Sequence, residues 1–425
     1  MKLIQKTIHN IPVHYLLTNQ FKEVVISIKF IADFDSNQIN ERVLIPDLLC
    51  TSCQKYSSQA RLQTHLDTMY GARLGGTTFT IGKQSVISFD IAFVNERYLP
   101  RNPKIFAQAM ELMQDIILRP KSDAKGFLSS DFSRAKRWLK DELEAIYHDK
   151  QAYAFEQMKR VMFPDEIYRY NDQGNIETLA NVNRTSLYES YQMMCKNDMK
   201  EIYIAGDFDP DVADQLLENT FHQVKMERNF CWIDDEEKPF NEPRIVHQES
   251  DVAQSRIIVG YRTPVRVGDP LYEAMLLLNN LLGESDQARL FTEIRERKQL
   301  SYDVSSAYSG NKGVMFVFAG VTSGMEARVV NAITRIVEKF ETMCLTEHEL
   351  SLAKESLKKR IIETSESLPQ LLGRTFRNLH LFNRDISVEE MLDRIDRTTV
   401  EAVVSAKNLL RRDTTYVLRR AGDHQ

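Results

Sequence analysis

The stretch Arg289–Val304 reads RLFTEIRERKQLSYDV, and its opening residues repeat a stretch that begins 228 positions earlier. The helices that start at Ala135 and Ala353 also correspond, at a slightly different spacing, as an insertion would produce. Self-similarity at one offset is the signature of a duplicated unit. The pairs at that offset are Arg61-Leu62 with Arg289-Leu290, Leu48-Leu49 with Leu276-Leu277, and Val86-Ile87 with Val314-Met315.

Each copy combines apolar, β-branched stretches with longer helical patterns. Val24–Phe34 (VVISIKFIADF) and Gln84–Val94 (QSVISFDIAFV) are typical of strands. Helices are predicted at Glu41–Cys53, at Ala60–Tyr70, at Lys104–Leu118 before Pro120, and from Asp131 past Tyr147 toward Pro164. The pattern predicts an α+β fold of two homologous domains, each a largely antiparallel sheet with helices packed on it.

The domain boundary is expected where charge and proline replace periodicity. The segment from Lys225 to Val252 has this composition. We therefore predict an N-terminal domain at residues 1–228, a linker at 229–250 and a C-terminal domain at 251–425.

Composition excludes several classes of function. The chain has 425 residues, 27% of them charged, a net charge of −5 and no long block of basic residues, so nucleic acid and membrane surfaces are not expected partners. No apolar run approaches the ~20 residues of a membrane span, and the first residues do not resemble a signal peptide. Five cysteines do not make a disulfide framework, so a cytoplasmic location is predicted.

Common catalytic motifs are missing. No two of the nine histidines lie three or four positions apart, which a helical zinc site requires, and no phosphate-binding glycine loop occurs. Cys50-Thr-Ser-Cys53 could be redox-active, half of a zinc site, or simply packed in the core, and the core interpretation is favoured because the other cysteines are isolated. A serine triad assembled from distant residues stays open.

Four stretches together resemble the insulinase/pitrilysin family of zinc peptidases, the inverzincins. The most specific is Arg289–Val304. The others are Tyr56–Thr78 (YSSQARLQTHLDTMYGARLGGTT), residues 174–207, and the helix Arg134–Ile146. The resemblance spans most of the chain and implies two domains arranged as half of a clamshell.

The resemblance also implies that this chain has lost the metal site of the family. Catalytic members hold zinc with an inverted H-x-x-E-H motif on a helix and a distal glutamate. Counted back from Gly71, that motif falls on Val43-Leu44-Ile45-Pro46-Asp47, which has neither histidine nor the glutamate base. Glu142 lies about where the distal ligand would fall, as a possible relic or as an ordinary solvated residue. The chain is expected to bind no metal of its own.

A second group of family residues is kept. In the family, an arginine and a tyrosine in the stretch matching Arg289–Val304 contact the bound peptide and the carbonyl under attack. Here they would be Arg295 and Tyr302, with Leu300 as a packing residue. A guanidinium and a phenol can both donate to a developing oxyanion. The alternative is a charged helix end followed by a strand.

These features resemble the inactive partner subunits of bacterial heterodimeric peptidases and the α subunit of mitochondrial processing peptidase. The expected function is a non-catalytic subunit that pairs with a zinc-bearing homologue and helps to bind and position unfolded peptide, with zinc held by the partner. Homodimers could form in isolation. The alternatives are a structural or peptide-holding scaffold with no role in hydrolysis, and an independent hydrolase.

Overall fold

A computed structural model describes residues 1–100, 103–218, 220–221, 230–233, 242–285, 287–340 and 345–421. The chain folds into two compact units. Unit 1 contains residues 1–145, 171–231 and 366–376, and unit 2 contains residues 146–170, 232–365 and 377–425. No helix in the described part of the chain is long and apolar enough to cross a membrane.

Unit 1 is built on a six-stranded sheet in the order β1-β2-β8-β3-β5-β4. All pairs are antiparallel except β2 with β8. His9 and Asn10 adopt positive φ angles of 49° and 63° and close the β1–β2 hairpin, whose twist such turns suit. The strands are β1 (Lys2–Ile8), β2 (Ile11–Leu17), β3 (Glu23–Asp33), β4 (Arg73–Ile81), β5 (Gln84–Val94) and β8 (Met199–Gly206).

Helices connect the strands of unit 1 along the chain. They are α1 (Ile39–Leu49), α2 (Gln59–Thr68), α3 (Ile105–Leu118), α4 (Ser129–His148, whose last turn belongs to unit 2), α6 (Ile176–Leu179), α7 (Arg184–Asn197) and α8 (Pro210–Glu218). A small hairpin, β6 (Ser122–Asp123) with β7 (Gly126–Phe127), precedes α4.

Unit 2 repeats this topology with a five-stranded sheet in the order β11-β12-β10-β13-β9. Only β9 and β13 run parallel, as β2 and β8 do in unit 1. Within the described residues the two sheets therefore match strand for strand, with β1 as an additional edge strand in unit 1. The strands are β9 (Arg244–Ser250), β10 (Ser255–Arg262), β11 (Asp303–Ser309), β12 (Val314–Val321) and β13 (Arg411–Arg420).

Helices cover one face of the sheet of unit 2 and bury its main apolar core. Two segments, Asn280–Glu284 and Phe291–Arg297, are wound as π-helix, a form often found near functional sites. The α-helices of unit 2 are α5 (Lys150–Met162), α9 (Tyr272–Asn279), α10 (Glu326–Glu338), α11 (Glu347–Glu363), α12 (Leu368–Phe382, which begins in unit 1), α13 (Val388–Asp396) and α14 (Val400–Asn408).

Each unit is completed by a segment from the other half of the sequence. In unit 2, α5 covers the second face of the sheet, where Met158 and Met162 lie so close to Gly260 that a Cβ there would sit 2.5 and 2.6 Å from their side-chain atoms. In unit 1, the fully buried Phe376 packs edge-on against Tyr203 and Phe79, with ring centroids 5.7 and 6.0 Å apart.

The α+β class and the pair of related units are confirmed, and the details differ in two places. The predicted helix running past Tyr147 is two helices, because Asp149 caps a new one by accepting hydrogen bonds from the backbone of Gln151 and Ala152. The predicted linker, residues 229–250, overlaps strand β9. The outer face of that strand is exposed, so its polar residues read like a linker, while residues 229 and 234–241 lie outside the described residues.

Candidate functional site

The residues at the position of the zinc motif lie on α1, which is anchored to the sheet of unit 1. The anchor is Arg42, buried, whose guanidinium donates to Asp198 at 2.8 Å and to the Ser85 hydroxyl at 2.7 Å. Separating a buried ion pair is costly, because each partner is then left as an uncompensated buried charge. The Arg42–Asp198 pair therefore holds α1 against the sheet. Val43, Pro46 and Asp47 lie on the same helix, at a cavity that residues of β4 also line.

These three residues open into a cavity of about 370 Å³ between α1, β4 and α4. Gly76 of β4 gives the close approach, since a Cβ there would lie 2.6 Å from Cβ of Pro46 and 3.1 Å from Sγ of Cys50. The lining residues are Val43, Pro46, Asp47, Cys50, Thr51, Gly76, Thr77, Thr78, Trp138 and Gln173.

Asp47 is the one charged residue among the described residues that line the cavity, and it is already paired. Arg134 of α4 donates to its carboxylate at 2.9 Å and to the Thr51 hydroxyl at 3.1 Å. The Thr51 hydroxyl in turn donates to the backbone carbonyl of Asp47 at 2.6 Å. A salt bridge therefore lies at the position predicted for the family's zinc motif.

The donor set at this position does not fit zinc. Valine and proline offer no ligand atoms in their side chains, and Asp47 is bound to a guanidinium. Glu142 lies on the same helix as Arg134 and Trp138, is exposed, and is not among the lining residues of the cavity. Within the described residues there is no group of three or more histidine, cysteine, aspartate or glutamate side chains that could hold a metal ion.

The two cysteines of the C-x-x-C sequence form no disulfide, and they lie in different surroundings. Cys53 is buried, while Cys50 follows the end of α1 and lines the cavity. Burial, with the nearby carboxylates of Asp90 and Asp47, raises the pKa of the Cys50 thiol, and burial raises that of Cys53. Neutral thiols are poor nucleophiles, which agrees with the packing interpretation and disfavours a cysteine hydrolase.

Arg295 and Tyr302, the predicted substrate contacts, lie on the surface of unit 2, just before edge strand β11. The Arg295 guanidinium stacks over the Phe291 ring at 4.6 Å, and Tyr302 is 66% exposed. The neighbouring Ser301 is buried and donates to the carbonyl of Gly320 at 2.8 Å, which ties this turn to β12. Leu300 packs against the core of unit 2, as predicted.

The structure thus brings Val43, Pro46 and Asp47 into one cavity and leaves Glu142 outside it. Sequence reasoning missed the cavity walls contributed by Trp138 and Gln173. The indole was the available signal, because an exposed tryptophan one turn from Arg134 on a polar helix is unusual.

Comparisons with known proteins find similarity to M16-type proteins. The protein family described as "Peptidase M16 inactive domain" matches residues 181–357. "Probable inactive metalloprotease YmfF" of Bacillus subtilis is 26% identical over 412 residues, which cover 96% of this chain and 95% of that protein. The crystal structure of a conserved protein from Enterococcus faecalis V583 has a TM-score of 0.93 at 23% identity and covers 100% of both chains.

A longer protein contains the same fold as part of one chain. The structure of the periplasmic protease PqqL from Escherichia coli has a TM-score of 0.74 at 13% identity. The match covers 98% of this chain and 45% of that one. Likeness at this level of identity concerns the fold alone.

The duplicated units resemble those of M16-type peptidases, and the residues at the predicted motif position do not form an H-x-x-E-H sequence. The chain is similar to the inactive domain of the M16, or insulinase, peptidases over residues 181–357 and to a probable inactive metalloprotease over nearly its whole length.

Proposed function

We propose that the chain is the non-catalytic subunit of a two-chain peptidase, in which a zinc-bearing homologue cuts peptides that this chain helps to bind and position. The carrying observation is that the predicted metal position holds a salt bridge beside an open cavity. A motif that had merely decayed would be expected to collapse, whereas here α1 is anchored and Asp47 is paired.

Two further features support peptide binding. Among the described strands β4 pairs only with β5, so its outer edge has no neighbouring strand; the Thr80 backbone N–H of β4 donates to the Asp172 carboxylate at 3.3 Å. An extended peptide can add to such an edge as an extra strand. On unit 2, Arg295 and Tyr302 are exposed donors on a braced turn.

Chain length supports the pairing. The whole chain described here corresponds to 45% of the PqqL protease chain, which leaves room in that protein for a second segment of similar length. A two-chain arrangement would supply that second unit from another polypeptide. The partner would then be a homologue with an intact H-x-x-E-H motif, and zinc would be bound there.

The test is hydrolysis of a quenched peptide library by the purified chain, by the H-x-x-E-H homologue from the same genome, and by their mixture. We expect activity in the mixture that a chelator abolishes, and none from this chain alone. No gain on mixing would contradict the proposal and leave a scaffold role, while activity of the chain alone would refute its inactive status.

The role of the exposed pair is tested by Arg295→Ala within the mixture. We expect turnover to fall about tenfold or more while assembly is unchanged, since a charge-assisted hydrogen bond to substrate is lost. Arg297→Ala is the matched control, because Arg297 lies on the same helical segment and is 73% exposed. Equal turnover by both variants would remove Arg295 from substrate positioning.

A further inference from the structure

The two segments that cover the second faces of the sheets rest on different surfaces. In unit 2, α5 packs on an apolar surface. Arg262 of β10 also donates to the carbonyl of Met162 at 2.9 Å and to Glu166 at 2.7 Å, just after the helix. Apolar burial and charge-assisted hydrogen bonds therefore both hold α5 in place. The buried residues of the sheet in this surface include Ile258, Phe316, Tyr416 and Leu418.

In unit 1 the cover is the segment 366–376, which we call the strap, and a charged side chain lies beneath it. Lys29 of β3 is only 4% exposed, and its ammonium donates to the hydroxyls of Ser27 at 3.1 Å and Ser88 at 2.9 Å. Phe376 of the strap lies over this ammonium, with its ring centroid 5.0 Å away. Since alternate side chains share a face of a strand, the buried Ile31 flanks Lys29. A cation is thus buried beside apolar side chains.

Polar groups continue from Lys29 across the sheet in both directions. The Ser88 hydroxyl donates to the Asp90 carboxylate at 3.0 Å. On β8, opposite Lys29, the buried carboxylate of Glu201 accepts from the Tyr203 hydroxyl at 2.7 Å. Burying charged groups costs free energy, and hydration is regained when they return to water. We call this set the polar row: Ser27, Lys29, Ser88, Asp90, Glu201 and Tyr203.

The strap itself carries two features that weaken its docking. Thr375 is 1% exposed, and its hydroxyl has no hydrogen-bond partner among the described residues. A buried hydroxyl without a partner is unfavourable and would bind water once the strap leaves. Gly373 lies inside α12, where glycine destabilises a helix relative to alanine. Against these features stands the burial of Leu368, Leu371, Leu372 and Phe376.

We propose that the strap is a releasable cover: it leaves the sheet of unit 1 transiently, while the rest of that unit stays folded and α5 stays docked on unit 2, and each release exposes the polar row to water. Local opening occurs in the segments of lowest local stability. The duplicated fold thus contains one firmly held cover and one release point. The inference concerns this chain alone and does not depend on the proposed function.

Amide hydrogen exchange of the full chain, followed by mass spectrometry, tests the proposal. The comparison is between residues 372–376 and 154–162, since these amides lie beyond the first turns of α12 and α5. After correction for intrinsic rates, we expect the strap to exchange at least about 30-fold faster than α5, with β3 still protected. Equal rates in the two helices would overturn the proposal, and so would exchange of β3 together with the strap.

A variant of the strap tests the cause of release. Thr375→Val keeps the shape of the side chain and removes the buried hydroxyl, so exchange of the strap should slow about fivefold or more while exchange of α5 is unchanged. Thr415→Val is the matched control. The buried hydroxyl of Thr415 in unit 2 likewise has no hydrogen-bond partner in the described part of the chain, and its removal should leave the strap unchanged. Equal slowing of the strap by both variants would show that it opens only when the whole chain unfolds, and would overturn the proposal.

A variant of the polar row tests the role of the buried charge. Lys29→Met keeps an unbranched side chain of similar length without the ammonium, so exchange of the strap should slow about tenfold. Circular dichroism shows whether this variant is folded, and Thr375→Val decides the question if it is not. Unchanged exchange of the strap in both variants would contradict release driven by the polar groups beneath and within it.

Discussion

The helix and edge strand of unit 1 can be compared with their counterparts in unit 2. In unit 1, α1 and β4 meet at Gly76 and Pro46, and a cavity opens beside the contact. In unit 2, α9 continues into a π-helical turn where Gly283 lies against β11, so close that a Cβ would sit 2.7 Å from the backbone nitrogen of Ser306. The Ser306 hydroxyl also hydrogen-bonds Asn279 at 2.8 Å.

The cavity in unit 1 therefore depends on particular residues and not on the fold that the two units share. Both units share strand order and the helix-on-edge-strand contact. The unit 2 contact is closed by a polar hydrogen bond, whereas in unit 1 the side chains around the contact leave space. Duplication supplied one scaffold, and local sequence opened a cavity in one copy.

The largest effect should come from dividing the chain. Residues 1–228 lack the 366–376 segment of unit 1, and residues 251–425 lack the 146–170 segment of unit 2. Each fragment would expose an apolar sheet face, so we expect both to be insoluble or unfolded alone and to fold when produced together. Circular dichroism and gel filtration measure this. Two well-folded separate fragments would show that the exchanged segments are dispensable.

The buried anchor of α1 should have the next largest effect. Arg42→Ala leaves Asp198 buried without its partner, and we expect a loss of about 3–5 kcal/mol in the free energy of unfolding, measured by urea titration. Arg73→Ala removes an ion pair in which the arginine is 69% exposed and should change stability little. Similar losses in the two variants would deny that α1 is held by its buried pair.

Neighbouring glycines on β4 sharpen the contrast further. Gly76→Ala places a Cβ 2.6 Å from Pro46, so we expect a loss of about 1–3 kcal/mol from overpacking. At Gly75 no atom outside its immediate neighbours lies within 4 Å of the added Cβ, so Gly75→Ala should be neutral or slightly stabilising. Thermal unfolding of the pair decides whether the cavity base is as tight as described.

The smallest effect should come from an exposed ion pair in unit 2. Arg384, followed by Arg394, lowers the pKa of Glu390 to about 2. Because this pKa is below that of the unfolded chain, the contribution is present above pH ~4.5 and is lost as pH falls through about 2. Solvent screening limits it to roughly a few tenths of a kcal/mol. Urea titration at pH 7 should therefore show a slightly lower free energy of unfolding for Glu390→Gln than for the parent. A loss as large as that of Arg42→Ala would mean that this exposed pair contributes as much as the buried Arg42–Asp198 pair.

The sequence predicted the repeated architecture well because duplication leaves paired residues at one offset. Strand β5 was predicted with its observed ends, since its apolar run is long and bounded. The exchange of residues 146–170 and 366–376 could not be predicted, because periodicity shows that a helix has a buried face but not which sheet covers it. The cavity was missed for a related reason: its walls come from α1, β4, α4 and the loop at Gln173, which only the tertiary fold brings together.

The central claim is that this chain and a zinc-bearing homologue form one peptidase. Its most direct test is turnover of a peptide substrate at constant total protein while the ratio of the two chains is varied. We predict maximal turnover at equal amounts of the two chains, with activity vanishing when either is omitted. Turnover that rises simply in proportion to the homologue would contradict the claim.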